Sequence, residues 1–341
     1  MVKAVLGIVA AGSFAIAFGQ EKLTSYLPFN SAVNNTACLN QFYRQEPPFL
    51  VKESLNKNSY PLCFNGFTMM YSGISKTPLW VSEYLTPERL SQKIKREDSF
   101  HEESRVAKEH RAFLSDYRGS GYDRGSLAPN ADMPNKAAQY DSFSLANMIP
   151  QAPQNNQQVW REIEEATRAL VTKQKHDVYV VTGPVYNAQK LKTIGRGVIV
   201  PTAVYKAIYI PKTGAIGAYY APNDNSLKMT VVSVCQLEEV LGINIFPQLM
   251  PEQKRNTYKL PLKATQVKVN QQIEYSHWDA ESQCAVDISV EQLQMLKKKF
   301  TQQSVPVVTE SKEVQIDQQT QDTIVKELVE ALLQYLLQIL K

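Results

Sequence analysis

The stretch of residues 122–168 constrains the fold and the chemistry of this chain more than any other part of the sequence. It opens with Tyr-Asp-Arg-Gly-Ser, continues through an amide-rich loop bounded by prolines, and ends in a helical pattern. In that pattern Asn156, Trp160, Glu164 and Arg168 recur at every fourth position, which places them along one stripe of a helix. Arginines, a serine, amide oxygens and a carboxylate this close together indicate a site for a phosphate group and a hydrated metal ion.

Each of these residues is ambiguous on its own. Arg124 could form a structural ion pair with Asp123, and Glu164 with Arg168 is also an ordinary helix-stabilising pair. The spacing favours a site, because Asn147 precedes the helical stripe closely enough for its loop to fold the amide oxygen back over it. An amide oxygen, a nearby carboxylate and flanking arginines suit Mg²⁺, which keeps most of its waters and accepts few protein ligands.

The residues resemble those of the DNA/RNA non-specific endonucleases of the ββα-metal type, a family that includes Serratia nuclease and the endonuclease G group. The resemblance covers roughly residues 63–249, and its segments come in the order and spacing of the family. Those segments are DYRGSGYDRG from Asp116, LAPNADM from Leu127, FSLANMIPQ from Phe143 with the helical stripe downstream, VTGPVY from Val181 and LEEVLGINIFP from Leu237.

The resemblance implies a role for each residue of the candidate site. Asn147 would be the one direct ligand of Mg²⁺, with Mn²⁺ as an alternative metal, and Glu164 would hold metal-bound waters. Arg124 and Arg168 would contact the scissile phosphate. The residues that would shape the site or its substrate contacts are Asp123, Gln151 and Asn156. DNA and RNA would be cleaved with little sequence preference to give 5′-phosphate products.

One position departs from the family pattern. The motif is Asp-Arg-Gly-His, in which the histidine is the general base, and this chain has Ser126 at that place. A neutral hydroxyl orients a water but hardly takes its proton, and a positioned base contributes about 10²- to 10⁴-fold. Either Ser126 positions a water that loses its proton elsewhere, or a carboxylate such as Asp123 or Asp132 is the base, or the protein is inactive. A fourth account brings in one of the histidines, His101, His110, His176 or His277.

The pattern of the whole chain predicts an α+β fold of the ββα-metal nuclease type. We expect a central, mostly antiparallel sheet flanked by helices, a hairpin-plus-helix module over about 121–172, and a C-terminal helical appendage. Among the local elements, the sequence predicts a strand over 64–71, a mixed-charge helix over 105–114 and a helix over 156–173. The predicted domains are a signal peptide at 1–19, a nuclease domain at 20–260 and a C-terminal extension at 261–341.

The first nineteen residues are typical of a secretory signal. Lys3 precedes an uncharged apolar run from Ala4 to Phe18, and Ala17 and Gly19 are small enough for cleavage before Gln20. A retained N-terminal anchor is the alternative, although the run is short for a membrane span of about 20 residues. A periplasmic or secreted protein without stable membrane insertion after cleavage is therefore expected.

Export changes the interpretation of the four cysteines. They form an even set without C-x-x-C spacing, which favours disulfides over zinc in an oxidising compartment. We predict the pairs Cys38–Cys63 and Cys235–Cys284, because short loops close most readily; unpaired buried thiols are the alternative.

Two further features leave alternatives open. Residues 178–223 carry five cations and no acidic residue, so they could face a phosphate backbone or form a sheet edge protected by lysines. Near the C-terminus, apolar residues over 325–339 alternate spacings of three and four. Such a helix could dock on the body of the protein, form a homo-oligomer or lie on a membrane surface.

The function that the sequence supports best is an exported, Mg²⁺-dependent non-specific endonuclease with a variant motif. A catalytically weak or inactive relative that binds nucleic acid or acts in assembly is the alternative. Composition does not decide between them, because a net charge of +4 is small for 341 residues.

Overall fold

A seven-stranded antiparallel sheet forms the middle layer of the computed structural model, which describes residues 35–302. The strands in chain order are β1 Phe49–Leu50, β2 Ser59–Cys63, β3 Thr68–Ser72, β4 Thr77–Leu85, β5 Asp123–Ser126, β6 Met148–Gln151, β7 Val178–Val185, β8 Thr193–Ile194, β9 Val198–Ile199, β10 Ala203–Ile210, β11 Ala215–Pro222, β12 Thr230–Val232, β13 Ile243–Asn244, β14 Asn256–Tyr258 and β15 Tyr275–Trp278. The large sheet has the order β12-β11-β10-β7-β4-β3-β2, and every neighbouring pair is antiparallel.

The helices cover the two faces of this sheet. They are α1 Leu114–Tyr117, α2 Lys136–Ser142, α3 Arg161–Gln174, α4 Val234–Leu241, α5 Pro251–Lys254 and α6 Val290–Thr301. One core cluster joins the sheet to α3 through Trp160, Ile163 and Leu170, and a second joins the opposite face to α4 and α6. The interior strand β10, next to the central strand β7, is buried along its whole length, so both faces of the sheet are covered there. This confirms the predicted α+β architecture with a mostly antiparallel sheet.

The hairpin-plus-helix module lies on the α3 face. Strands β5 and β6 pair antiparallel, and the chain passes from β6 through one π-helical turn, Asn155–Trp160, directly into α3. The helix predicted over 156–173 is therefore confirmed, with α3 ending at Gln174 and a left-handed residue at Lys175. Because the turn and the helix follow without a break, residues of β5 and of α3 come together at one end of the module.

Both predicted disulfides are present. Cys38 bonds to Cys63, and Cys235 bonds to Cys284. The first joins the N-terminal 3₁₀ turn to the end of β2, and the second joins α4 to the segment that leads into α6.

Two predicted elements differ from those observed. The strand predicted over 64–71 begins only at Thr68, because the Phe64 amide bonds to the Phe67 carbonyl and closes a turn. The mixed-charge helix predicted over 105–114 is a single 3₁₀ turn, Lys108–His110. Here long-range contacts override the local pattern, since Arg105 donates to the Cys63 carbonyl and stacks on the Phe64 ring.

The structure separates the cations of residues 178–223 into one buried and four exposed side chains. Strands β7, β10 and β11 of this run are interior strands of the large sheet, whereas β8 and β9 form a separate two-stranded sheet. Lys206 on β10 is 1% exposed and donates to Thr182 on β7, so it faces no solvent or ligand. The exposed cations of the run lie in the connecting loops.

The C-terminal extension packs on the body as far as it is described. Leu260 and Val267 belong to the α3-side core, and Phe300 at the end of α6 is fully buried against Phe42 and Trp80. No helix within residues 35–302 is long and apolar enough to cross a membrane. The predicted signal peptide and the apolar helix over 325–339 lie outside the described residues, and the domain boundaries stay predictions.

Candidate active site

Glycine at 125 allows β5 and β6 to approach closely. In the hairpin register, Asp123 pairs with Gln151 and Ser126 pairs with Met148. A Cβ on Gly125 would lie 1.8 Å from the Gln151 side-chain oxygen, a separation that no real structure tolerates. Gln151 is fully buried there and donates to the Asn155 side chain over 2.6 Å, which anchors the start of the π-helical turn.

Asp123 makes a second connection between the hairpin and the helix. Its carboxylate accepts hydrogen bonds from the amide nitrogens of Asn156, at 2.9 Å, and Gln157, at 2.8 Å. Both bonds go to the same carboxylate oxygen, Oδ2, and the described residues show no ion pair between Asp123 and Arg124. Asp123 does not line the cavity that opens between β5 and the start of α3. Because the Asn156 nitrogen is held by the carboxylate, the amide oxygen of Asn156 is turned the other way.

A cavity of about 410 Å³ opens where β5, the start of α3 and the segment around Phe100 meet. Predicted site residues Arg124, Ser126, Asn156, Glu164 and Arg168 all line this cavity. Its other charged lining residues are Arg96, Arg161 and Glu165. Four arginines face two glutamates, so the cavity carries a net positive charge suited to an anionic phosphodiester.

Two arginines at the cavity are held by aromatic rings. The Arg124 guanidinium lies 3.9 Å from the centroid of the Phe100 ring, and Arg96 lies 5.4 Å from that of Phe143. The two phenylalanine rings meet edge to face with centroids 5.0 Å apart. Stacking on a ring orients a guanidinium while its N–H groups remain available to a ligand.

Glu164 is a half-buried carboxylate at this cavity. Burial raises the pKa of Glu164 to about 7, although the charges of Lys206 and Arg168 oppose the rise. Such a group ionises readily when a cation approaches, because an opposite charge favours the charged form.

Asn147 does not reach the cavity, which corrects the ligand assignment implied by the resemblance. It is fully buried, and its side-chain oxygen accepts a hydrogen bond from the Ala128 amide over 3.0 Å. Its side-chain nitrogen donates to the carbonyls of Ala128 and Ser142. Both ends of this amide are used to hold the loop after β5 against the segment before β6, so Asn147 is a structural residue. Asn156 brings an amide oxygen to the cavity in its place.

The other base candidates are also accounted for. Asp132 is 2% exposed and is bound to Arg168, so it does not face the cavity. None of the four histidines, all within residues 35–302, lines the cavity. His101 stacks on Tyr140, for example, and His110 bonds to Tyr60. Ser126 lines the cavity, and its hydroxyl has no hydrogen-bond partner among the described residues.

The sequence prediction missed Arg96, Phe100, Phe143 and Arg161 as cavity residues. Arg96 and Phe100 lie in an irregular segment with no periodic pattern, and only the fold brings them to β5. Arg161 was within reach of sequence reasoning, because it follows Trp160 on the helix that carries Glu164.

Comparison with known proteins identifies the family to which the chain belongs. A model of the DNA/RNA non-specific endonuclease family matches residues 47–252. Human mitochondrial endonuclease G is 34% identical over 215 residues, which cover 57% of this chain and 70% of that protein. A nuclease of Nostoc sp. is 31% identical over 214 residues, which cover 58% of this chain and 77% of that nuclease. A solved structure described as the EndoG/EndoGI complex matches with a TM-score of 0.52 and 27% identity over 57% of this chain and 88% of that chain. The family match spans the sheet, the hairpin and α3, and the chain therefore belongs to the DNA/RNA non-specific endonuclease family and is a nuclease.

Proposed function

We propose that this nuclease is exported and hydrolyses phosphodiester bonds of DNA and RNA in a Mg²⁺-dependent reaction that leaves 5′-phosphates. The observation that carries the proposal is the convergence of Arg124, Ser126, Asn156, Glu164 and Arg168 on one positively charged cavity. Phosphate contacts supply affinity without sequence information, so little sequence preference is expected.

Asn156 and Glu164 are the residues that would hold the cation. The amide oxygen of Asn156 accepts no hydrogen bond from within the described part of the chain, and Asp123 fixes the orientation of the amide. Asn156 and Glu164 stand eight positions apart on the same helical stripe, so they present one amide oxygen and one carboxylate to the same space. This donor set fits Mg²⁺ or Mn²⁺, which bind through few protein oxygens and keep their waters. When bound, such a cation supplies Lewis-acid stabilisation of charge on the phosphate and on the departing 3′ oxygen.

The arginines would bind the phosphodiester within the cavity. Arg124 approaches from β5 and Arg168 from α3, so their guanidinium groups contact the phosphate from two different elements. Preorganised donors of this kind stabilise charge that develops in the transition state, usually the largest single contribution to catalysis.

Ser126 would orient the attacking water. Its free hydroxyl accepts or donates a hydrogen bond but is too weak a base to take the proton of the attacking water at neutral pH. The oxygen of this water bonds to phosphorus while its proton passes to solvent or to a phosphate oxygen. The P–O3′ bond breaks, and the departing 3′ oxygen takes a proton from solvent. This account is favoured over a histidine or aspartate base, because none of those side chains faces the cavity.

Two observations support export. The apolar run after Lys3 has the pattern of a secretory signal, and the pairs Cys38–Cys63 and Cys235–Cys284 are bonded. Structural disulfides persist in oxidising compartments such as the periplasm and the extracellular space.

Incubation of the purified protein with plasmid DNA or with RNA tests the proposal. We expect degradation with Mg²⁺ and none with EDTA, and we expect Asn156→Ala to lower kcat/KM on the order of 10²-fold or more. Asn147→Gln serves as the contrasting variant and should lower thermal stability rather than metal affinity. Cleavage that persists in EDTA, or metal affinity that is lost in Asn147→Gln and kept in Asn156→Ala, would overturn the metal assignment.

A further inference from the structure

We propose that Asp132 is a positioning residue that holds the Arg168 guanidinium toward the cavity and acts on the reaction through Arg168 alone. The inference rests on the proposed function, in which Arg168 contacts the scissile phosphate. It assigns a role to the LAPNADM segment, whose aspartate otherwise has no place in the chemistry.

The contact between the two side chains is direct. The Asp132 carboxylate, whose side chain is 3% exposed, accepts a hydrogen bond from Arg168 Nη1 over 2.8 Å. The Arg168 side chain is 21% exposed and lines the cavity, and it makes no other hydrogen bond among the described residues. A guanidinium carries five N–H donors, so one edge is fixed by the carboxylate while others remain free for a phosphate oxygen.

The main chain of Asp132 is itself fixed by hydrogen bonds. Its main-chain carbonyl accepts a hydrogen bond from Arg89 Nε over 2.7 Å, and its amide donates to the Pro129 carbonyl over 3.0 Å. Arg89 in turn pairs with Glu83 at 3.1 Å, and both side chains are at least nine-tenths buried. Glu83 lies on β4 in the large sheet, so the main chain of Asp132 is linked to that sheet through Arg89.

The position of Asp132 separates this role from that of a base. The turn Asn130–Asp132 presents Asn130 and Ala131 to the cavity, whereas Asp132 itself is turned inward. Its carboxylate therefore reaches the substrate only through the guanidinium of Arg168. A long arginine side chain loses rotamer freedom when it binds, and a carboxylate that orients it beforehand removes that cost from the catalysed step.

A double-mutant cycle tests the inference. The four proteins are the wild type, Asp132→Ala, Arg168→Ala and the double variant, each assayed with Mg²⁺ on a duplex substrate for kcat and KM. We expect Asp132→Ala and Arg168→Ala each to lower kcat on the order of 10²-fold with a smaller change in KM. Adding Asp132→Ala to Arg168→Ala should then change kcat by less than about threefold, because the two residues act as one unit.

Conservative and matched variants separate positioning from general destabilisation. Asp132→Asn keeps an acceptor oxygen and should lose less activity than Asp132→Ala, and Arg168→Lys replaces Arg168→Ala in the cycle if the alanine variant does not fold. Asp116 is an equally buried carboxylate that pairs with Arg196, which does not line the cavity. Asp116→Asn should lower the thermal unfolding temperature and leave kcat unchanged.

The outcomes distinguish the inference from the proposed function. If adding Asp132→Ala to Arg168→Ala lowers kcat by the same factor as adding it to the wild type, the positioning role is overturned. Arg168 would then still be a phosphate ligand. Equal loss of kcat in Asp116→Asn would overturn it as well, since any buried carboxylate would then have the same effect. If Arg168→Ala cuts as fast as the wild type, the proposed role of Arg168 fails, and the role of Asp132 fails with it.

Discussion

Asn147 and Asn156 have different roles because their amide oxygens have different neighbours. The oxygen of Asn147 accepts from a backbone amide in a fully buried position, whereas that of Asn156 faces the cavity. A buried amide that lost its partners would cost about 1–3 kcal/mol. Because buried polar groups need hydrogen-bond partners, the Asn147 side chain is used to stabilise the fold. The amide oxygen of Asn156 remains available to a ligand in the cavity.

Replacement of Ser126 by histidine tests whether the site lacks a base. Ser126 lines the cavity with a free hydroxyl, so an imidazole at this position should meet the attacking water. We expect Ser126→His to keep or increase kcat/KM and to show a new ionisation near about pH 6 to 7. The measurement is kcat/KM across a pH series, with Ser126→Ala as the control for loss of the hydroxyl. A collapse of activity in Ser126→His would mean that the geometry of the serine itself is needed.

The raised pKa of Glu164 predicts that metal affinity depends on pH. The carboxyl is protonated below its pKa of about 7 and must lose that proton when a cation binds. The apparent affinity for Mn²⁺ should therefore fall about tenfold per pH unit below neutrality and level off above it. Calorimetric titration across that range measures the effect, and Glu164→Gln should bind weakly at every pH. Equal affinity on both sides of neutrality in the wild type would contradict the assignment.

At the scale of elements, α6 attaches to the sheet through two buried side chains, Leu296 and Phe300. Phe300 is fully buried, with its ring centroid 5.6 Å from that of Phe42 and 5.8 Å from that of Trp80. Phe300→Ala should lower the free energy of unfolding by about 3–5 kcal/mol. Met295 lies on the same helix with 60% exposure, and Met295→Ala should change stability by less than about 0.5 kcal/mol.

Chemical denaturation of both variants, together with their nuclease activity, checks this prediction. Neither residue lines the cavity, so folded protein of either variant should cut at the wild-type rate. Equal stability of the two variants would show that α6 contributes little to the fold.

Elements determined by the pattern of their own residues could be predicted from the sequence. Elements determined by contacts with residues far away in the sequence could not. The helix α3 follows from the helical spacing of residues 156–173, and the hairpin is expected from the family resemblance of the segments that form β5 and β6. The helix expected over 105–114 fails because Arg105 bonds to a carbonyl 42 positions away. The segment of Arg96 and Phe100 has no pattern of its own, so its place at the cavity becomes visible only in the folded chain.

At the scale of the whole molecule, the two disulfides join distant segments of residues 35–302: one joins the 3₁₀ turn at Cys38 to β2, and the other joins α4 to the segment before α6. Cys38–Cys63 spans 25 positions and Cys235–Cys284 spans 49. Removal of either bridge by paired Cys→Ala substitution should lower the free energy of unfolding by about 2–4 kcal/mol, because the unfolded chain gains freedom. Denaturant unfolding with and without a thiol reductant measures both effects. Unfolding curves that coincide in the two conditions would contradict a structural role for the bridges.

The longer bridge also determines how the protein withstands a protease. An exposed stretch around Lys268 lies between Cys235 and Cys284, and a tryptic cut there would divide the chain in two. The pieces would remain covalently joined and would migrate as one band until a thiol reductant separated them. The hairpin, α3 and the cavity would all lie on the larger fragment, with the smaller one held to it by the bridge.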